Sequence, residues 1–173
     1  MKFKREYQWH AVYVKSRAEK KVDKELNFKR IKTYLPLVAV KKQWSDRVKV
    51  VEEPLLRGYL FVQVSNKEYV DVLQTSGAVS YVMFSGKAAT IPDKQIQALK
   101  LFVEKANSKI HVTSETIQKG QQVKVIAGVL AGMEGEITEV RGTKRIVLRF
   151  ENLGCSVFAD VSMELVERVD AVG

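Results

Sequence analysis

The spacing of apolar side chains changes period several times along this chain, and each change marks an element. From residue 7 to residue 15, aromatic and β-branched side chains predict a strand. Ser16-Arg17-Ala18-Glu19 then has the form of a capping box opening a helix that reaches about Arg30. Along that helix Ala18, Val22 and Leu26 recur every fourth residue and are placed against a sheet. Arg17, Lys20, Lys21 and Lys24 fall on roughly the opposite side as a basic stripe. Residues 33–40 and 47–51 read as the strands of a hairpin turning through Lys41-Lys42-Gln43-Trp44-Ser45-Asp46.

The strand that begins at Tyr59 is apolar on both faces. Leu60, Val62 and Val64 are assigned to the core, which leaves Tyr59 and Phe61 pointing the other way, either onto a partner or under another part of the same chain. Ser65-Asn66-Lys67-Glu68 is a second capping box, for a short helix through Leu73 that Gly77 terminates. A strand over residues 79–84 follows. Pro92 then opens a helix whose apolar face is Ile96, Leu99, Phe102 and Val103, ending near Lys105. This order predicts a mostly antiparallel sheet with helices packed on it, an α+β domain over residues 1–105.

Residues 106–116 are polar and short of large apolar groups, and are expected to be a linker. From residue 117 to residue 173 the pattern is all-β. Val123 and Val125 alternate with Gln122 and Lys124, and Ile146, Leu148 and Phe150 alternate with Arg145, Val147 and Arg149. Turns are expected at Arg141-Gly142-Thr143-Lys144 and at Asn152-Leu153-Gly154. Short strands over so few residues fit a small SH3-like barrel. Between the first two of its strands, Gly128, Gly132 and Gly135 mark places where the backbone takes positive φ or approaches another strand closely; spacing alone also fits an ordinary glycine-rich hairpin.

Charge adds direction. The formal net charge is +9, and the first 50 residues hold 15 Lys and Arg against 5 Asp and Glu while the remainder is near balance. Such a field points to a polyanion, foremost nucleic acid, met by one end of the molecule, although lysines also simply keep a surface soluble. No apolar run approaches the roughly 20 residues that span a bilayer, and the polar start of the chain does not resemble a signal peptide, so a soluble cytoplasmic protein without a membrane partner is expected. Cys155 is the single cysteine, which excludes an internal disulfide and a multi-thiolate metal site. His10 and His111 fall in different expected domains, and no side chains show triad or metal-ligand spacing. The glycines match neither a P-loop nor a dinucleotide fingerprint, so no catalytic residue, metal ligand or cofactor is assigned.

Two ordered signatures make the chain resemble the NusG family of transcription elongation and antitermination factors, which join an N-terminal NGN domain to a C-terminal KOW domain. The first includes Trp9, Val12-Tyr13-Val14, Pro54-Leu55-Leu56-Arg57-Gly58-Tyr59-Leu60-Phe61-Val62 and Ile91-Pro92-Asp93-Lys94. The second is a KOW motif with Gly120, Gly128, Leu130, Gly132 and Gly135. The resemblance implies an NGN domain at residues 1–105, a KOW barrel at 117–173, and a protein that binds RNA polymerase without doing chemistry. It places Tyr59, Phe61, Phe84 and Ile96 in the hydrophobic depression that docks on the clamp helices of the largest subunit, suppressing pausing. It also puts Arg17, Lys20, Lys21 and Lys24 near the non-template DNA strand of the transcription bubble, where phosphate contacts would add affinity without sequence information.

Two departures from the family pattern bear on partners. Val129-Leu130 stand where housekeeping members carry Pro-Phe, which weakens the expectation that the KOW loop binds Rho or a ribosomal protein. Arg57 stands where proline is usual before Gly58-Tyr59. Both lean towards a specialised RfaH-like or UpxY-like paralogue, with a housekeeping NusG-type factor as the alternative. A ribosome-associated KOW RNA-binding protein is the rival from another class.

Overall fold

Period-two stretches become strands and period-four stretches become helices in the computed structural model, which describes residues 6–169. Residues 1–5 and 170–173, where the polar start and the outer ends of both expected domains fall, lie outside the described residues. In chain order the first elements are β1 (Gln8–Val14), α1 (Glu19–Phe28), β2 (Lys32–Tyr34), β3 (Leu37–Gln43), β4 (Val48–Pro54) and β5 (Tyr59–Val64). There follow α2 (Tyr69–Leu73), β6 (Ala78–Tyr81), β7 (Met83–Phe84), β8 (Lys87–Ala88), β9 (Thr90–Ile91) and α3 (Asp93–Ala106). The rest is β-rich: β10 (His111–Thr113), β11 (Gln121–Val125), β12 (Glu134–Val140), β13 (Thr143–Phe150), β14 (Cys155–Asp160) and β15 (Val166–Arg168). Two compact units result, one from residues up to Pro36 with Leu56–Ile96, the other from Leu37–Leu55 with residues from Gln97 onward.

The first unit is an antiparallel sheet in the order β2-β5-β1-β6, with β9 also pairing β1. One face carries Val12, Val14, Leu60, Val62 and Val64, and these pack with Val22 and Leu26 of α1 and Val72 of α2 in one core cluster. Full burial of a side chain of this kind contributes about 1.5–3 kcal/mol, so this cluster is the main fastening of both helices to the sheet. The expected face of α1 is therefore observed, with Ala18 partly buried at its start.

The two expected capping boxes have different outcomes. At Ser65 half of the box is made: the Glu68 carboxylate accepts from the Ser65 N–H at 3.0 Å and from its hydroxyl, but α2 starts only at Tyr69 and no side chain caps it. That hydroxyl bond holds the Glu68 carboxyl below its ordinary range. At Ser16 the box is replaced. Arg17 takes φ 63°, α1 starts only at Glu19, and no side chain caps Ala18. Arg17 is thus in the turn before the helix rather than on its stripe. Glu19 is buried and its carboxylate instead accepts from the Gly58 N–H at 2.8 Å.

Two further expectations change. The single strand expected over 33–40 is two strands, because Pro36 has no N–H to give to a ladder and restricts the residue before it. Before the proline, β2 pairs β5; after it, β3 pairs β4 in a separate two-stranded ribbon. The strand expected over 79–84 likewise divides, with β6 on β1 and β7 on β8.

In the second unit β10-β14-β13-β12-β11-β15 form a six-stranded antiparallel sheet, the small all-β barrel of the KOW type. Val123, Val125, Met133, Ile146, Val147, Phe150, Val157 and Ala159 are among its buried residues. Arg141 and Gly142, at φ 52° and 79°, make the two-residue turn between β12 and β13. The expected linker is partly regular: β-branched Val112 and Thr113 lie in β10, which pairs with β14. Taken together the chain is α+β, an antiparallel sheet with flanking helices followed by a small β barrel.

Candidate functional site

The second face of the N-terminal sheet is set by register. Ala11 pairs with Phe61 and Tyr13 with Tyr59 across β1 and β5, and Tyr34 pairs with Phe61 across β2 and β5. Opposite residues share a face, so Trp9, Ala11, Tyr13, Tyr34, Tyr59 and Phe61 form one surface.

That surface has a closed part and an open part. Trp9, Ala11, Phe61 and Ile91 are buried, and the Trp9 indole N–H donates to the Asp93 carboxylate at 3.0 Å, pinning the first turn of α3. Ile96, one turn further, is fully buried. Tyr34 stacks on Phe61 at 6.3 Å between ring centroids, and burial pushes its phenol up to about 12. Of the two readings open for Phe61, packing within the chain is the one observed: Phe61 and Ile96 are both buried, and the Trp9–Asp93 bond brings the start of α3 to this face.

Tyr59 is the open part. Leu56 is buried, Gly58 takes φ 80°, the Gly58 carbonyl accepts from Val14 N–H at 2.9 Å, and its N–H is held by Glu19. Only glycine takes that backbone conformation without strain, so the turn fixes where β5 begins. Tyr59 is consequently half-buried with its ring 5.0 Å from that of Tyr13, which is 39% exposed. Tyr13 was missed as a site residue in the sequence, although antiparallel pairing of the first strand with the strand at Tyr59 would have found it. Phe84 is 64% exposed on β7, and Arg57 is exposed beside Gly58.

On α1, Lys20, Lys21 and Lys24 are exposed at the i, i+3 and i, i+4 spacings that put them on one side. Arg17 is exposed in the preceding turn.

The KOW glycines have separate reasons. Gly128 and Gly132 take φ 81° and 90°. A Cβ on Gly135 would lie 2.8 Å from the Val147 carbonyl oxygen, and one on Gly120 would overlap the Ile137 carbonyl. Leu130, in the middle of the loop between β11 and β12, is buried while its neighbour Val129 is 69% exposed. Beside them is an apolar hollow of about 190 Å³ lined in part by Val125, Val129, Leu130, Ala159 and Leu165.

His10 is a structural residue: it is buried, its Nδ1 is 2.9 Å from the Ala89 carbonyl oxygen, and burial lowers its pKa against the raising effect of that bond. Among the described residues no three His, Cys, Asp or Glu side chains gather as metal ligands. No helix among them is long and apolar enough to cross a membrane.

A family model described as transcription termination factor nusG matches residues 7–100. The chain is 27% identical over 145 residues to the transcription termination/antitermination protein NusG of Chlamydia pneumoniae, covering 78% of this chain and 79% of that one. It is 23% identical over 148 residues to the protein of the same name from Lactococcus lactis subsp. lactis (strain IL1403), with 83% and 78% covered. Among solved structures it is similar to NusG of Thermotoga maritima, at 20% identity, with 95% and 98% covered and a TM-score of 0.48.

Proposed function

The chain belongs to the NusG family of transcription termination and elongation factors, and on that premise we propose that it travels with RNA polymerase and suppresses pausing or termination. Its N-terminal domain docks on the clamp helices of the largest subunit. The observation that carries this reading is the open aromatic end of the second sheet face, Tyr13 with Tyr59, on a support of buried Trp9, Phe61 and Ile96. Rigid, partly exposed aromatics over a packed base are what an interface anchor requires. Phe84 extends the exposed apolar area available to a partner. The role is non-enzymatic, as in the family.

The exposed Lys20, Lys21 and Lys24, with Arg17 before them, supply phosphate contacts to the non-template DNA strand. The division of labour follows the sequence, with residues 1–105 for polymerase and 117–173 for a second partner, Rho or a ribosomal protein being the one expected of the housekeeping alternative. Val129 in the KOW loop and Arg57 beside the docking face favour a specialised paralogue over a housekeeping factor.

The test is retention on assembled elongation complexes. Tyr13→Ala and Tyr59→Ala should each be lost from complexes while remaining folded, and should fail to shorten pauses. Normal retention of both would place the polymerase contact elsewhere. Recovery of ribosomal particles without polymerase subunits from cell extract would favour the ribosome-associated reading instead. Mapping occupancy along a genome separates a general factor, present on most transcribed genes, from one confined to a few operons.

A further inference from the structure

The ribbon of β3 and β4 is the part of the chain whose side chains have the least to do with its core. Every residue from Lys41 to Val50 is exposed. Its register is regular, with Lys42 opposite Lys49 and Gln43 opposite Val48, and the Trp44 N–H closes the turn on the Arg47 carbonyl at 2.8 Å. Opposite residues share a face, so Lys42, Trp44, Arg47 and Lys49 come together on one side of the ribbon tip. The Lys49 ammonium lies 5.1 Å from the Trp44 ring centroid, and the indole is 47% exposed. Lys42 is bridged to Glu53 further down the same face, which holds its stem along the ribbon. At the base of the ribbon the Ala39 N–H donates to the Asn107 side chain at 3.0 Å. Counting Lys41, residues 41–50 carry four cations and a single acid, Asp46.

A half-exposed indole beside Lys49 leaves much of its ring in water, and the residues around it define what would cover it. Cations alone would suit any acidic surface. A flat aromatic plane flanked by cations suits a ligand that presents a flat ring and negative charge together, which is a nucleotide strand. In a duplex the faces of the bases are hidden by stacking, whereas an unpaired strand offers them.

We propose that the tip of the β3–β4 ribbon binds single-stranded nucleic acid, stacking one unpaired base on Trp44 while Arg47 and Lys49 hold its phosphates. The site uses different residues from the α1 stripe and does not depend on the polymerase reading.

The protein carries its own reporter. Trp9 is buried at 1% exposure, so quenching of tryptophan emission by a soluble quencher reads Trp44. The full chain is titrated at low salt with oligothymidine, oligouridine, a blunt duplex of mixed sequence, and heparin as a polyanion without bases. The expected result is quenched emission and reduced quencher access with the single strands, absent with heparin and much weaker with the duplex. By anisotropy of an end-labelled oligothymidine, which does not need the indole, Trp44→Ala should lose roughly tenfold in single-strand affinity while Trp44→Phe keeps most of it. Arg47→Glu with Lys49→Glu should weaken binding further and flatten its salt dependence. The pair Lys20→Glu and Lys24→Glu should leave the Trp44 signal in place. Comparison of oligothymidine with oligouridine assigns the strand as DNA or RNA. The proposal is overturned if single strands leave Trp44 unchanged, if Trp44→Ala binds as well as the parent, or if duplex or heparin reproduces the quenching. Circular dichroism matching the parent confirms that each variant is folded.

Discussion

Replacing Phe61 by alanine separates the support of the docking face from the face itself. The ring is fully buried, paired across strands with Ala11 on one side and Tyr34 on the other. Removing a core phenylalanine costs about 3–5 kcal/mol, the lost transfer energy plus the cavity left behind. In a domain of this size each kcal/mol moves the melting temperature by about 4–8 °C, so a fall of at least about 12 °C is expected. Tyr59 is half-buried and its main ring contact is Tyr13 at 5.0 Å, so Tyr59→Ala should cost the fold only about 1 kcal/mol. At a partner interface the same truncation should cost about 2 kcal/mol or more, roughly thirtyfold in affinity. The assay is urea unfolding of the full chain followed by Trp9 emission in a Trp44→Phe background, run beside retention on elongation complexes. Phe61→Leu keeps most of the volume and provides a folded control. If Phe61→Ala unfolds at the same urea concentration as the parent, the packing assigned to the second sheet face is wrong. If Tyr59→Ala is as destabilising as Phe61→Ala, the open end of that face is core and the docking argument fails.

Other outcomes follow from single residues. Gly120→Ala should destabilise the barrel by about 3 kcal/mol, the upper end for overpacking, since its Cβ meets backbone rather than a movable side chain. Gly132→Ala meets nothing within 4 Å and should cost only the left-handed backbone, about 1–2 kcal/mol; equal urea midpoints for the two would refute the distinction. His10 has a pKa lowered from 6.5 by burial, so between that value and its folded value the unfolded chain binds more protons and stability falls as pH drops. Urea titrations from about pH 7 to about pH 5 should show that fall, and a folded His10→Gln variant should show less of it. Lys20→Glu with Lys24→Glu should weaken association with elongation complexes most at low salt, and unchanged retention across a salt series would make α1 a solvated face only.

Much of the fold was legible because the signals were local. The period-four residues of α1 and the alternating residues of β5 pointed the same way, and both reached the expected cluster. That Gly128, Gly132 and Gly135 each meet either a positive φ or a close approach was readable, but which of the two each one meets was not. What the sequence hid was tertiary. Glu19 looked like half of a capping box because spacing cannot reveal that Gly58, far along the chain, offers it a better donor. Phe61 looked spare because burial by α3 depends on where that helix comes back. Pro36 could have been read correctly: its missing N–H was visible, and the strand drawn through it should have been broken there.

The pairing of β15 with β11 sets a schedule for synthesis. Every neighbour of β1 in the N-terminal sheet has been made once Ile91 leaves the ribosome, so that sheet has all its strands while most of the barrel is still to come. β11, by contrast, waits for Val166–Arg168 before its outer edge is covered. Until then the nascent chain exposes a strand edge bearing Val123 and Val125, open to pairing with a neighbouring chain on the same messenger. A chain truncated between Asp160 and Val166 should therefore yield a folded first sheet and an aggregation-prone, incomplete barrel, whereas one that runs on through Arg168 should not.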